Sequence, residues 1–474
     1  MNITSRPCCN ATPFYPRNNI VNRTQVTFVR PPNLQKSGQW KKQGVIRCPL
    51  NIALLASFIR EKGNYSCSIV DFEIIPEEDP GRMAAIILAE KPRYVCFTTL
   101  TPRFPIVARI AGELKTLDPS VIAIVGGPHV TGSPHTSLTR GISYGVIGEG
   151  EDALLELLNR LESGSDPLTI NNLVYQRPDT TLSVNPARPF IKDLDGLPLP
   201  AYDLMTLNEY TDPAYFEGSH CALFSSRGCA YDCKFCASCV TWHRKVRFRS
   251  SGNVIDEIKY IVNTLGVKNL MFWDDNFTSH KKRAIDICTG LIAENLGVKY
   301  TVQVRADNVD EELLGLLKRS GCQFAAIGVE SGNEQMLVAM GKRETKDQIR
   351  NAIRMMRNVG LPSIASYIFG FPGDTHATIR ETIDFAFELD ADQSKFMILC
   401  PYPGTAYFEL AKQRKLVDEF SFEQMESLNY YDSVAVNLSE VSNEDLIRYQ
   451  DEAYARYDAM HGQKPDQDSP DLND

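Results

Sequence analysis

No apolar run in this chain approaches the roughly 18 residues that a bilayer-spanning helix requires. Its start, MNITSRPCCN, lacks the apolar stretch of a secretory leader. No membrane span is therefore expected, and the cytoplasm is the expected compartment. A dense Lys/Arg cluster is missing as well: the formal net charge is −9, which argues against a phosphate-tracking surface and against nucleic acid as partner. A small organic substrate fits better. The 13 cysteines do not form a disulfide framework, since nothing marks the chain for an oxidising compartment. Most stand singly in apolar runs (Cys67, Cys96, Cys288, Cys322, Cys400), where a thiol packs as a small hydrophobe. Only the stretch from Cys229 to Cys239 is dense.

With 474 residues, 43% of them hydrophobic, the chain has room for two or three domains with a large core. From about residue 25 to residue 163, short β-branched runs alternate with helix-period segments. VTFV, SIVDF, YVCFT, VIAIVGG and YGVIG read as buried strands. Between the third and fourth, Ile106, Val107, Ile110, Ala111, Leu114 and Leu117 are spaced to line one helix face. Strict alternation predicts an α/β fold, a doubly wound parallel sheet with its ligand beyond the carboxyl ends of the strands. Residues 164–217 are Pro- and Asp-rich and read as a linker. Six apolar runs follow over residues 218–415: ALFSS, LMFW, YTVQV, FAAIGV, IASYIFG and KFMIL. Their spacing predicts a partial (β/α)6 barrel, with the chemistry just past the strand ends. Residues 416–462 are expected to be a helical segment that covers the barrel mouth around Met425 to Tyr431. Residues 463–474 have the composition of a disordered tail.

SSRGCAYDCKFCASCV places Cys229, Cys233 and Cys236 in C-x3-C-x2-C spacing directly after the first barrel strand. A compact loop of this kind can wrap three thiolates around one corner of a cube. A [4Fe–4S] cluster needs four ligands, so three from the protein leave one iron open, the general mark of a reactive metal site. Gly228 allows the sharp exit from the strand. The bland alternative is structural zinc completed by Cys239 or His243. Zinc ribbons use two separated C-x2-C pairs, and no partner pair follows.

The loop, with Phe235 as the aromatic before its third cysteine, resembles the signature of the radical S-adenosylmethionine (SAM) superfamily, and the resemblance covers roughly residues 218–415. It implies a [4Fe–4S] cluster on the three cysteines, whose open iron chelates SAM. It also implies reductive cleavage of SAM to methionine and a 5′-deoxyadenosyl radical, with a reductant such as flavodoxin or ferredoxin. Successive strand ends are similar to family positions that contact SAM: Asp274 and Asp275 in FWDDNF, Arg305 in QVRADN and Glu330 in GVESG. GFPGDT and PYPGT close the fifth and sixth strands. Taken singly, each of these charges is as well explained by a surface ion pair or a helix cap.

VGGPHVTGSP and GVIGEGE resemble the cobalamin-binding domain joined to many radical SAM enzymes, over most of residues 25–160. The resemblance implies that Gly126 and Gly127 let a corrin or its nucleotide tail approach the backbone, with His129 exposed by the same turn. D-x-H-x-x-G is absent, so no histidine of that motif is expected to ligate cobalt. The implied activity is cobalamin-dependent methyl transfer to an unactivated carbon of a small molecule or lipid. The alternative is an oxidation or cyclisation on the same architecture, as in the anaerobic porphyrin-cyclase branch. A methylthiotransferase fits less well, because Cys8, Cys9, Cys48, Cys67 and Cys96 form no second triad. A non-catalytic cobalamin or metal sensor leaves the repeated strand-end charges unexplained.

Overall fold

In the computed structural model, which describes residues 23–33, 45–139, 141–428 and 433–461, the alternating runs become two parallel sheets. The first contains β1 (Thr24–Arg30), β2 (Tyr65–Asp71), β3 (Tyr94–Thr98), β4 (Ile122–Gly126), β5 (Ile142–Val146), β6 (Leu173–Gln176) and β7 (Leu182–Val184). Their spatial order is β2-β1-β3-β4-β5-β6-β7. Strand side chains alternate between two cores. Val29, Val95, Phe97, Ala123 and Val125 pack with the Pro80–Ala89 and Phe104–Leu117 helices. Val26, Phe28, Tyr94, Cys96 and Ile124 pack with the Leu50–Lys62 and Glu151–Ser163 helices. That parity is the doubly wound arrangement, because a strand buried on both faces must be apolar at both registers. On the Phe104–Leu117 helix, Ile106 to Leu114 are buried as expected, but Leu117 is 53% exposed. It is the helix's last residue and has rotated past the sheet.

The linker expectation is corrected in part. β6 and β7 lie within residues 164–217 and extend the first sheet, pairing antiparallel with β5 and with each other. Four- and three-residue strands around a polar turn carry too little periodicity to register in sequence. The rest of that stretch has only short 3-10 turns.

The second sheet contains β8 (His220–Leu223), β11 (Asn269–Phe272), β12 (Lys299–Val304), β13 (Cys322–Glu330), β14 (Ser363–Phe369) and β15 (Gln393–Ile398). All pair in parallel and in chain order, so the barrel is open between β8 and β15. The first barrel strand starts two residues before the predicted run and ends at Leu223. Beyond it, β9 (Ser226–Arg227) and β10 (Arg247–Phe248) form a two-residue antiparallel pair. The Asn443–His461 helix covers the exposed edge of β15. Gln450 donates to the Phe396 carbonyl at 2.8 Å, and the Tyr454 hydroxyl bonds Phe396 N and O at 3.1 Å. These bonds block an unpaired strand edge.

The Phe422–Ser427 helix rests on the first domain rather than over the barrel. Phe422 meets Phe104 edge-on at 5.9 Å, and Glu426 pairs with Arg109 at 2.5 Å. Tyr430, Tyr431 and the tail lie outside the described residues, as do Cys8 and Cys9. No described helix is long and apolar enough to cross a membrane.

Candidate active site

Beyond β8 the chain turns at Gly228, whose φ is +96° and whose added Cβ would lie 2.1 Å from the Lys245 carbonyl. No L side chain fits there, so the turn into the cysteine loop is fixed by the missing side chain. Tyr231, between the first two cysteines, anchors the loop. Its ring lies under the Arg305 guanidinium at 3.5 Å, and its hydroxyl is 3.1 Å from Asp307 and from Asn308. Lys234 N donates to the Met340 carbonyl at 2.9 Å, and Cys233 Sγ faces the Gly341 carbonyl at 3.9 Å.

Cys229, Cys233 and Cys236 are all half-buried. Burial pushes their thiols up, Cys236 to about 12, while Lys342 and Arg305 draw Cys229 and Cys233 back down. Iron would complete the deprotonation. Among the described residues no three His, Cys, Asp or Glu side chains converge on a single ion. Cys239 Sγ turns to the Tyr231 and Cys233 carbonyls, at 3.3 and 3.7 Å. His243 is exposed on a left-handed backbone. Three thiols spread over one concave loop, with two buried cations beside them, suit a cluster whose ligands sit on different irons and whose net charge is negative.

The strand-end charges divide sharply. Asp274 is 1% exposed and hydrogen-bonded: it accepts from Ser225 N (2.9 Å), Ser225 Oγ (2.7 Å) and Ser226 Oγ, with Arg283 at 3.9 Å. It ties down the end of β8, buried away from the cavity lining. Asp275 instead opens on the central cavity, held by the Ser238 hydroxyl, and burial raises its pKa above the usual carboxylate range. Arg305 is committed to Tyr231, to Asp307 (3.0 Å) and to the Lys342 carbonyl (2.8 Å), which makes it a brace for the cysteine loop. Glu330, at the end of β13, adopts a left-handed φ of +66°. Strain of this kind in a non-glycine residue collects at working sites. Its carboxylate lies 3.2 Å from Lys342, which is 3.2 Å from Glu344, itself 3.4 Å from Arg305. Burial disfavours the Lys342 ammonium, yet the two glutamates outweigh this and hold it above its ordinary pKa.

Lys342, Glu344 and Tyr231 were not found by sequence reasoning. Their spacing carries no motif, and only the fold buries Lys342 and Glu344 close to the cysteine loop. Phe235 packs against Phe371 of the GFPG turn, ring centroids 5.5 Å apart and planes tilted by 60°. Asp374 holds that turn by accepting from Gly370 N and Phe371 N, at 3.0 and 2.9 Å.

The carboxyl ends of the first sheet and of β8 and β11 face one cavity of about 1160 Å3, larger than the roughly 300–1,000 Å3 of drug-sized pockets. Trp242, Trp273 and Asp275 line it from the barrel, and Gly126 and Gly127 from the first domain at the end of β4, near the adjacent strands β1 and β3, whose onward connections run to opposite sides of the sheet order. That divergence is the switch point at which doubly wound sheets bind ligands. Gly127 has φ +104°, and a Cβ there would sit 2.8 Å from the Thr99 carbonyl. His129 corrects the expectation that the same turn exposes it. It is fully buried behind the cavity, stacked on Phe104 at 4.3 Å, and burial lowers its pKa to about 4.

GVIGEGE also does something unforeseen. Glu149 pairs with Arg227 at 2.6 Å and Arg247 at 2.7 Å, and Glu151 pairs with Arg227 at 2.6 Å, all four side chains at most 12% exposed. This buried clasp locks the first domain to the β9–β10 pair and fixes the cavity walls.

A family model described as the radical SAM superfamily matches residues 223–386, and one described as the B12 binding domain matches residues 44–158. An uncharacterised methyltransferase from Pyrococcus horikoshii is 32% identical over 395 residues, covering 83% of this chain and 84% of the relative. The anaerobic magnesium-protoporphyrin IX monomethyl ester cyclase of Rubrivivax gelatinosus is 27% identical, covering 79% and 68%. The same fold occurs in the radical SAM methyltransferase TsrM from Kitasatospora setae, solved with cobalamin and a [4Fe–4S] cluster bound. Its TM-score is 0.69 at 20% identity, with 83% of this chain and 75% of TsrM covered.

Proposed function

Because the chain belongs to the radical SAM superfamily, in the branch joined to a B12-binding domain, we propose that it transfers a methyl group to an unactivated carbon of a small molecule or lipid. One observation carries this reading: residues that flank the cysteine loop (Ser226, Arg227, Thr241, Trp242, Asp275) and the Gly126–Gly127 turn line a single cavity. Methyl donor and radical source would then meet the same substrate carbon.

Cys229, Cys233 and Cys236 would hold a [4Fe–4S] cluster, and the Gly126–Gly127 edge would hold cobalamin. When bound, the cluster supplies the electron that breaks a carbon–sulfur bond of SAM, giving methionine and a 5′-deoxyadenosyl radical, and cobalamin carries the methyl group. The chain's own residues bind, orient and shield. Lys342, a buried cation beside Cys233, would face the carboxylate of SAM, and Glu330 would receive a hydroxyl or ammonium group. Asp275, the acid of the DD pair that lines the cavity, would receive the methionyl ammonium. Arg305 and Asp274 position the loop and the β8 end without touching SAM. Trp273, 41% exposed within the cavity wall, offers a flat apolar face to substrate and keeps water from a radical. The free thiols among the described residues suit the cytoplasm, where thiols stay reduced.

The similarity to the porphyrin-ester cyclase favours a second reading, oxidative cyclisation on the same site. Products separate the two. Anaerobic reconstitution with iron, sulfide and cobalamin, followed by SAM and dithionite, should yield 5′-deoxyadenosine. Methyl transfer adds S-adenosylhomocysteine once substrate is present, and cyclisation does not. Protein that carries zinc or no metal in the loop and leaves SAM uncut refutes both readings.

A further inference from the structure

Between the Glu334–Ala339 and Lys346–Asn358 helices the chain passes through Lys342, Arg343, Glu344 and Thr345. Arg343 and Thr345 are exposed, whereas Lys342 and Glu344 are 5% and 2% exposed. Burying a charge is costly unless it is paired, so the inward turn of this acid needs a reason. Glu344 Oε1 accepts from Ala306 N at 2.6 Å and from Asp307 N at 3.3 Å. Its Oε2 faces Lys342 Nζ at 3.2 Å and Arg305 Nη2 at 3.4 Å. One carboxylate therefore joins the exit of β12, which carries Asp307 and Asn308 against Tyr231 of the cysteine loop, to the ammonium of Lys342.

Structural duties nearby are already filled by other residues. Thr345 caps the Lys346–Asn358 helix by accepting from Gln348 N, and Asp307 pairs with Arg305 at 3.0 and 3.1 Å. Glu330 takes a hydrogen bond from Lys342 at 3.2 Å. Glu344 is thus a second counter-ion for both cations, and it differs in kind from the first. Its Oε2 attracts Lys342 without accepting a hydrogen bond from any described residue. An ammonium has three donors. Held by charge on one side and by one hydrogen bond on another, Lys342 keeps its place while donors remain for an incoming anion. A lysine on its flexible four-carbon stem loses that definition with a single anchor. Backbone conformation adds a separate sign: Glu330 and Arg343 take φ of +66° and +58°, a costly conformation for an L residue that is kept where it aims groups at a site.

We propose that Glu344 is a positioning residue for SAM: it fixes Lys342 relative to the cysteine loop, so that the cation meeting the SAM carboxylate keeps a set relation to the three thiols. The inference rests on the reading of Lys342 as that cation. Glu344 acts through Lys342 rather than on SAM itself. Its removal weakens SAM binding while the loop still assembles its cluster, because Arg305 keeps Asp307 and Tyr231.

The test uses full-length protein reconstituted with iron and sulfide, and compares wild type, E344Q, E344D, K342M and K342M/E344Q. Three readouts are followed: iron content, KM and kcat for 5′-deoxyadenosine formation with dithionite, and the electron paramagnetic resonance spectrum of the reduced cluster during SAM titration. E344Q keeps an acceptor for the two amides and loses the charge. Its iron content and SAM-free spectrum should match wild type. Its KM for SAM should rise roughly tenfold, the loss expected of one charged contact, and its kcat should fall by no more than about threefold. The SAM concentration that shifts the spectrum should rise with KM. E344D, which retains the charge, should lie between wild type and E344Q. K342M/E344Q should match the KM of K342M within about twofold, because the two residues act as a unit. A wild-type KM in E344Q, losses that multiply in the double variant, or lost iron with KM unchanged overturns the positioning role. Should E344Q fail to fold, E344D against K342M/E344D supplies the same comparison. An unchanged KM in K342M overturns the reading of Lys342 on which the proposal rests, and wild type that cuts no SAM overturns that of the cysteine loop.

Discussion

The two sheet edges that face the cavity solve binding in opposite ways. The first domain presents mostly backbone there, with Gly126 and Gly127 at the tip of β4 and its histidine turned away. The barrel carries fixed charge: Asp275 in the cavity wall and, outside that lining, a chain of contacts from Glu330 to Lys342 (3.2 Å), Lys342 to Glu344 (3.2 Å) and Glu344 to Arg305 (3.4 Å). A large flat cofactor is held by area and needs close approach, which a glycine edge supplies. A small zwitterion is held by point charges, which must be paired and rigid before it arrives, because an unpaired buried charge is costly.

Substitutions at the two edges should therefore fail differently. The largest effect is expected from Cys233→Ala. It removes one of three ligands, and both iron content and 5′-deoxyadenosine formation should be lost, while cobalamin is still taken up. Residual cleavage near the wild-type rate would remove Cys233 from the ligand set. Gly127→Val should do the reverse. The new Cβ would meet the Thr99 carbonyl at 2.8 Å, so corrin absorption should disappear from reconstituted protein while SAM cleavage persists. If both activities fall together, the edges are not independent.

Glu149→Ala breaks the clasp between them. Removing one partner of a buried pair typically costs about 3–5 kcal/mol, and here Arg227 is left with Glu151 and Arg247 with the Ile191 carbonyl. Thermal unfolding should move down by several degrees, and methyl transfer should fall more than SAM cleavage, because the edges lose their spacing. Lys342→Met should raise the KM for SAM more than it lowers kcat, as expected when a group serves binding before chemistry. An unchanged KM would leave Lys342 a purely structural partner of Glu330.

The smallest effect concerns His129 and His220, whose pKa values burial lowers to about 4. Unfolded histidine titrates near 6.5. As pH falls below that value the unfolded chain binds protons that the folded chain refuses, so stability is fully present above about 6.5 and is lost as pH drops toward 4. His129→Phe should blunt this acid sensitivity and leave cobalamin binding intact. Loss of cobalamin in that variant would restore His129 to the cofactor site.

Most of the fold was legible because strand and helix periods are local. YVCFT coincides with β3, and the six barrel runs match the six strands within a few residues. β6 and β7 were not legible, being too short to show a period. At the site, the cysteine spacing was legible because its meaning is contained within eight residues. FWDDNF offered two acids with no means of choosing between them. The choice came from Ser225 and Ser226, which hold Asp274 from 49 and 48 positions away.

The amino-acid order by itself determined two α/β sheets in succession, a three-thiol loop at the first barrel strand and a glycine turn at the end of β4, since each is written in neighbouring residues. Only the folded chain decided that Asp275 and not Asp274 is available, that His129 faces away, and that Lys342 and Glu344 are buried beside the thiols. It alone decided that Glu149 reaches across 78 residues to Arg227. Those outcomes depend on which distant groups compete for the same hydrogen bonds and the same shelter from water, and sequence spacing carries no record of that competition.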